Sequence, residues 1–347
     1  MMLLYAVGGT AVVTVGLLLA GLSMDTSLAF AGLAFGAITL VVAELRQREL
    51  PRKKVVYIGM EDSLFGTNIV DGLRAELSGS FPHTLTILLP SREKRDLVRW
   101  QRECLGLTDV RSADALIILP CRDDGAIWEG LVALAQRGVA IIVIDVEPPQ
   151  DFFADRHVPV PIFVASDFPA GGRAAGRVIA ERLAHRPSAR AFVCMGPDWS
   201  KPGSTRTSWL LYELARQGCL TRTTVFELTS WDPEKVVPTV VERLRQLRSE
   251  QLIVFAGTDW LLSELSQKVL ATDGIRDAVE LIGYDGILRN DGRLLASATA
   301  LAIATIDTRP AAQGRTAGQV VRELYENRTS ATRFLVEPVA VTAPTWR

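Results

Sequence analysis

Four acidic residues stand where apolar, β-rich runs stop. Leu281-Ile-Gly-Tyr-Asp-Gly286 breaks off at Asp285, Ala256-Gly-Thr-Asp259 at Asp259, Ile144-Asp145 at Asp145 and Val164-Ala-Ser-Asp167 at Asp167. The carboxyl ends of strands in α/β layers face the crevice in which such layers hold ligands. A carboxylate there is a polar hook, able to accept short, charge-assisted hydrogen bonds. Its recurrence at several strand ends predicts one shared cleft for a small polar molecule.

Other chemistry lacks its residues. The chain has no Gly-x-x-x-x-Gly-Lys-Ser/Thr loop, no Gly-x-Ser-x-Gly elbow, no His-Glu-x-x-His and no Asp-rich calcium loop. His83, His157 and His185 are far apart, and Cys104, Cys121, Cys194 and Cys219 form no Cys-x-x-Cys pair. No catalytic residue, cofactor or metal ligand is therefore expected. The cysteines read as buried thiols, although their even number permits disulfides outside the cytoplasm. The glycine cluster Ala170-Gly-Gly-Arg-Ala-Ala-Gly176 lacks dinucleotide-loop spacing and reads as the start of a helix. A net charge of −1 over 347 residues gives no basic footprint for nucleic acid.

These hooks need elements to carry them. From Val55 onward short strands alternate with helix-length amphipathic runs, the signature of parallel sheets covered on both faces. Strands are expected at 55–60, 84–89, 115–119 and 139–145, with helices at 67–78, 92–105 and 126–137 between them. A proline-rich loop at 148–161 interrupts the pattern. Strands then follow at 162–166, 191–195, 224–228, 252–256, 281–284 and 301–306, and helices at 170–184, 206–217, 233–248, 261–270 and 311–326. The length and 48% hydrophobic content suit two lobes and an appendage. Trp199 and Trp231 fall on loops of the second lobe, either lining the cleft mouth or capping the lobe.

The appendage is N-terminal. Residues 1–24 and 26–43 carry no charge, with Asp25 between them, and each run approaches the roughly 20 apolar residues of a spanning helix. Residues 1–45 are expected to form a transmembrane hairpin. A cleaved signal peptide is the competing account of the first run, but Met-Met-Leu-Leu-Tyr supplies no basic n-region. The linker 46–54 carries five basic residues, Arg46, Arg48, Arg52, Lys53 and Lys54, and such clusters stay on the cytoplasmic side. On that rule both termini are cytoplasmic.

Residues 55 to about 340 resemble the type I periplasmic-binding-protein domains, the sugar-binding group that includes ribose-binding proteins and the ligand domains of LacI-type repressors. The resemblance is carried in order by Tyr57-Ile-Gly-Met-Glu-Asp-Ser-Leu-Phe65 with Asp71-Gly72, Ala113 to Pro120, Gly138 to Asp145, Ala165 to Gly172, Val254 to Asp259, Ile282 to Gly286 and Ala304 to Pro310. It implies two doubly wound parallel-sheet lobes joined by three crossovers. Lobe 1 is expected at about 55–165 plus 287–306, and lobe 2 at about 166–286 plus 307–340.

The resemblance also implies ligand residues. Phe65 matches a stacking aromatic and Asp285 a recurrent ligand carboxylate. Thr258 stands at a polar contact position, Thr308 at one often held by Gln, and Ser63 at one of Asn type. Arg206 matches an arginine near the second lobe's first helix. Many sugar binders place an Arg directly after the strand ending at Asp145, whereas Val146 and Glu147 stand here, so Arg122 or Asp123 is expected to replace one contact. Asp259 is expected to cap a helix, and Asp167 to be structural or lobe-linking at the first crossover. The expected hairpin and the resemblance together suggest a membrane-anchored, non-enzymatic sensor of a small polar ligand of sugar or nucleoside class, which signals to a membrane or signalling protein by lobe closure. Two alternatives remain: a tethered extracytoplasmic substrate-binding component of an ABC-type sugar transporter, and an interaction scaffold without ligand.

Overall fold

The computed structural model describes residues 52–60, 64–79, 82–91, 96–247, 250–286, 301–328 and 331–342, together with Ser23, Leu33 and Gly36. The chain divides into two compact units, residues 1–53 with 81–84 and residues 54–80 with 85–347, and the second carries the two lobes. The expected membrane hairpin lies outside the described residues. Among the described residues no helix is long and apolar enough to cross a membrane.

Each lobe is built on one six-stranded sheet. The first contains β1 (Lys53–Ile58), β2 (His83–Leu88), β3 (Ala115–Ile118), β4 (Ala140–Ile144), β5 (Ile162–Ser166) and β11 (Arg333–Val336), in the order β11-β5-β4-β3-β1-β2. The second contains β6 (Arg190–Met195), β7 (Thr223–Glu227), β8 (Leu252–Phe255), β9 (Val279–Tyr284), β10 (Ala302–Asp307) and β12 (Val339–Thr342), in the order β12-β10-β9-β8-β6-β7. The central strands are short, continuous apolar runs such as Ala-Leu-Ile-Ile in β3 and Leu-Ile-Val-Phe in β8, buried throughout. That composition fits a strand covered on both faces. β7 lies at an edge and is only partly buried.

The helices of the first lobe are α1 (Leu64–Leu77), α2 (Leu97–Leu105), α3 (Thr108–Arg111), α4 (Gly125–Ala135) and α5 (Gln150–Ala154). Those of the second are α6 (Phe168–His185), α7 (Lys201–Arg216), α8 (Pro233–Gln246) and α9 (Asp259–Leu270). Alternate residues of the second sheet face opposite ways, as the pleat requires. Phe192, Cys194, Val254 and Leu281 meet α8 and α9 on one face, while Val193, Phe255, Ile282 and Tyr284 meet α6 and α7 on the other. Side chains of this size contribute roughly 1.5–3 kcal/mol each on burial.

The C-terminal region departs from expectation. β10 pairs with β9 in the second sheet, whereas the following helix α10 (Pro310–Tyr325) packs on α1 of the first lobe. Residues 302–306 therefore belong to lobe 2, and 310–325 and 333–336 to lobe 1, the reverse of the sequence-based allocation. The periodicity of β10 and α10 identified the elements, but only long-range pairing could assign them to a lobe. The last two strands, β11 and β12, are four residues each and close opposite sheets, β12 running antiparallel to β10. Among the described residues the chain crosses between lobes three times: from β5 to α6, from β10 to α10 and from β11 to β12. The proline-rich loop holds a short helix, α5, whose Phe153 is buried against Trp128.

Candidate functional site

Arg206 is the centre of the site. It lies one and a half turns into α7, whose start is fixed by Ser200 as N-cap, accepting from Gly203 N at 3.3 Å, and by Pro202 in the first turn. α6 presses against this stretch without side chains in between. A Cβ placed on Gly172 would lie 2.2 Å from the Arg206 carbonyl oxygen. The backbone of Arg206 is thereby held at a fixed distance from the second sheet, and its side chain is 7% exposed.

The guanidinium lies between two rings, 4.5 Å from the Tyr284 centroid and 4.9 Å from that of Trp231. Its Nη1 stands 3.7 Å from Asp285 Oδ1, while its buried Nε has no hydrogen-bond acceptor. Trp231 rests on a floor of glycines: Cβ atoms at Gly196 and Gly203 would come within 2.3 and 2.7 Å of its ring. Its indole N–H donates to Ser200 Oγ at 3.1 Å. The Tyr284 hydroxyl is buried without a hydrogen-bond partner, and burial raises its pKa above the usual phenol range.

Three of the four strand-end carboxylates gather here. Asp145, Asp167 and Asp285, from β4, β5 and β9, all act electrostatically on the Tyr284 hydroxyl together with Arg206. Asp145 and Asp285 have positive φ, 70° and 112°. Such strain in a non-glycine residue persists only where surrounding structure fixes it. At Asp285 the fixing is visible: its N–H donates to Ile306 O at 2.8 Å, and its carbonyl accepts from Thr308 Oγ1 at 3.3 Å. Burial pushes the Asp145 carboxyl up to about 6, against the opposing pull of Arg206. Asp167 caps α6 by accepting from Ala170 N at 2.8 Å, the structural role expected of it.

Asp259 departs from the set. Thr258 is the N-cap of α9, accepting from Leu261 N at 3.0 Å, and Asp259 is buried beneath it, accepting from Thr305 Oγ1 at 2.7 Å. The expected cap is thus shifted by one residue, because the hydroxyl of Thr258 reaches the free N–H groups and the carboxylate points into the lobe.

The remaining expected residues are placed as follows. Thr308 is buried in the second crossover, where its hydroxyl is engaged by Asp285 and its carbonyl accepts from Gln313 Nε2. Phe65 is buried in the first turn of α1; the rings lying against Arg206 are those of Trp231 and Tyr284. Arg122 is half-exposed and paired with Asp124 at 3.2 Å. Ser63 lies outside the described residues. Asp123 bridges the lobes: Lys201 Nζ stands 2.8 Å from its Oδ2, and the Trp128 indole N–H donates to its Oδ1 at 2.7 Å. Burial acts to raise the Asp123 pKa, but these two donors hold it below the usual carboxylate range.

Of the residues at this site, sequence reasoning missed Lys201 and Gln101 but not Asp145 and Trp231. Asp145 was signalled by its strand end and Trp231 by its loop. Nothing local signals Gln101, which is buried in α2, donates to Gly59 O and Leu119 O and accepts from Cys121 N, tying the ends of β1 and β3 together. The described residues contain no cluster of three or more His, Cys, Asp or Glu able to hold a metal.

No protein-family model and no curated protein sequence matches the chain. Solved structures do. An ABC transporter periplasmic solute-binding protein from Actinobacillus succinogenes with bound D-allose matches with a TM-score of 0.68 at 17% identity, over 85% of this chain and 99% of its own. The Caulobacter myo-inositol binding protein gives 0.64 at 18% identity, over 86% and 97%. A periplasmic ribose ABC transporter protein from Conexibacter woesei gives 0.67 at 16%, over 85% and 93%. With two parallel-sheet lobes, three crossovers and facing strand ends, the chain has the type I periplasmic-binding-protein fold.

Proposed function

We propose that the chain is a binding protein for a sugar or related polyol, serving as the substrate-binding component of an ABC-type transporter. The observation that carries this reading is Arg206, held between two rings and facing Asp285 at the strand ends, with the Arg206 Nε and Tyr284 hydroxyl buried and unsatisfied. Buried polar atoms without partners are costly. A polyhydroxylated ligand supplies donors and acceptors for them, while its C–H face packs on aromatic surface. The folds matched by this chain include proteins holding D-allose and myo-inositol, which supports the same ligand class.

Closure follows from the arrangement. Asp145 belongs to the first lobe and Arg206 to the second, so a ligand touching both favours the state in which they approach. The test is calorimetry on the full chain with D-allose, D-ribose, D-arabinose and myo-inositol. Saturable binding of at least one supports the reading, and no heat from any of them refutes it.

A second reading, a membrane-anchored cytoplasmic sensor, is favoured by the five basic residues at 46–54. Reporter fusions after Lys54 and at Arg347 separate the two. Extracytoplasmic signals from both support the transporter component, and cytoplasmic signals support the sensor.

A further inference from the structure

We infer that the ligand of this cleft carries a positively charged amine on its sugar or polyol frame, and that the amine sits on the Asp145 carboxylate. The inference rests on the binding-protein reading and specifies the chemical class of its ligand.

It starts from an imbalance of charge. Asp145, Asp167 and Asp285 all act electrostatically on the buried Tyr284 hydroxyl, and among the described residues the cation acting on it with them is Arg206. Arg206 is drawn toward Asp285 and held between two rings. Asp167 has an oxygen engaged in capping α6. Lys201 is committed to Asp123 and Arg333 to Glu147. The next residue after Asp145 is Val146, which brings no charge.

Asp145 is therefore a half-buried carboxylate with no hydrogen-bond or ion-pair partner among the described residues, its neighbouring charge being the Arg206 guanidinium. Its left-handed backbone, φ 70°, ends β4 at the mouth of the first sheet. A ligand hydroxyl satisfies hydrogen bonding at such a group and leaves its charge uncompensated. An ammonium group satisfies both. The upward push of burial on Asp145 is consistent with a missing cation.

The other unsatisfied atom fixes the opposite end. Arg206 Nε is a buried donor lacking an acceptor, so it takes a ligand oxygen. The ligand thus presents an amine toward the first lobe and a hydroxyl or ring oxygen toward the second.

Calorimetry at pH 7 on the full chain with matched pairs tests this: D-glucosamine and D-glucose, D-galactosamine and D-galactose, 1-amino-1-deoxysorbitol and sorbitol. In at least one pair the amine should bind about 10- to 100-fold more tightly, as a charge-assisted hydrogen bond gives. N-acetyl-D-glucosamine, which keeps the frame and loses the charge, should lose that advantage. Asp145→Asn should abolish the preference, leaving the amine and its neutral partner with equal affinity. Equal or weaker binding of the amines overturns the inference and leaves the sugar reading standing. No binding by any member overturns both. A preference that survives in a folded Asp145→Asn variant, or that N-acetylation leaves intact, also overturns it.

Discussion

Asp145→Asn is the substitution whose effect on stability follows most directly from the structure. Burial raises the Asp145 carboxyl from 3.8 to about 6 in the folded chain, and Arg206 offsets only part of that rise. A raised carboxyl pKa means that the folded state favours the neutral form. The associated stability is complete below about pH 4 and is lost as pH rises through about 6. At 1.36 kcal/mol for each tenfold difference, the charged form costs the unliganded fold up to about 3 kcal/mol at pH 7.5. Asparagine has the same shape, stays neutral and accepts φ 70° readily. The variant should therefore be more stable than the parent at pH 7.5 by up to about 3 kcal/mol, and nearly equal to it at pH 4. Urea unfolding followed by tryptophan fluorescence at both pH values measures the difference. A variant less stable at pH 7.5, or one whose advantage is the same at both values, would refute the reasoning.

Other perturbations test neighbouring parts. Asp285→Asn should weaken ligand binding about ten- to a hundred-fold in calorimetry, whereas Asp273→Asn, in an exposed turn, should leave it unchanged. Gly172→Ala drives a methyl into the Arg206 carbonyl and should cost roughly 1–3 kcal/mol in urea unfolding. Lys201→Met cuts the bridge to Asp123. With Lys201 60% exposed its stability effect should stay under about 1 kcal/mol, but the unliganded chain should open, seen as a larger radius of gyration in solution scattering. An unchanged radius would show that the bridge does not hold the lobes together.

The fold was legible because its signals are local and repeated. Runs such as Ala-Leu-Ile-Ile and Ala-Ile-Ile-Val-Ile can only be buried strands when helix-length amphipathic segments separate them. Strand-end acids were equally legible, and three of the four act electrostatically on Tyr284. What the sequence hid was pairing at a distance. β10 and α10 are adjacent in the chain, yet one joins the second sheet and the other packs on α1, a choice made by the glycines at the helix contact. Cβ atoms on Gly72 and Gly314 would strike the backbones of Ala311 and Ile69 at 2.1 Å, so α1 and α10 approach more closely than side chains allow. Hidden for the same reason was the origin of the aromatic surface. Phe65 and Trp231 are both aromatics near a strand end, and their sequences do not rank them. The glycine floor beneath Trp231 comes from three separate segments, at Gly196, Gly203 and Gly257, and becomes visible only when β6, α7 and β8 are assembled.

The same assembly explains why one arginine controls the site. Arg206 leans on Trp231 and Tyr284 within its own lobe, so its position survives opening of the cleft. Its charge reaches Asp145 only across the lobes. Closure without ligand brings a carboxylate out of water toward a cation already drawn to Asp285, which returns little of the desolvation cost. A ligand that donates to Asp145 and accepts from Arg206 Nε removes both deficits in the closed state and neither in the open one. That difference in affinity between the two states is the free energy available to drive closure.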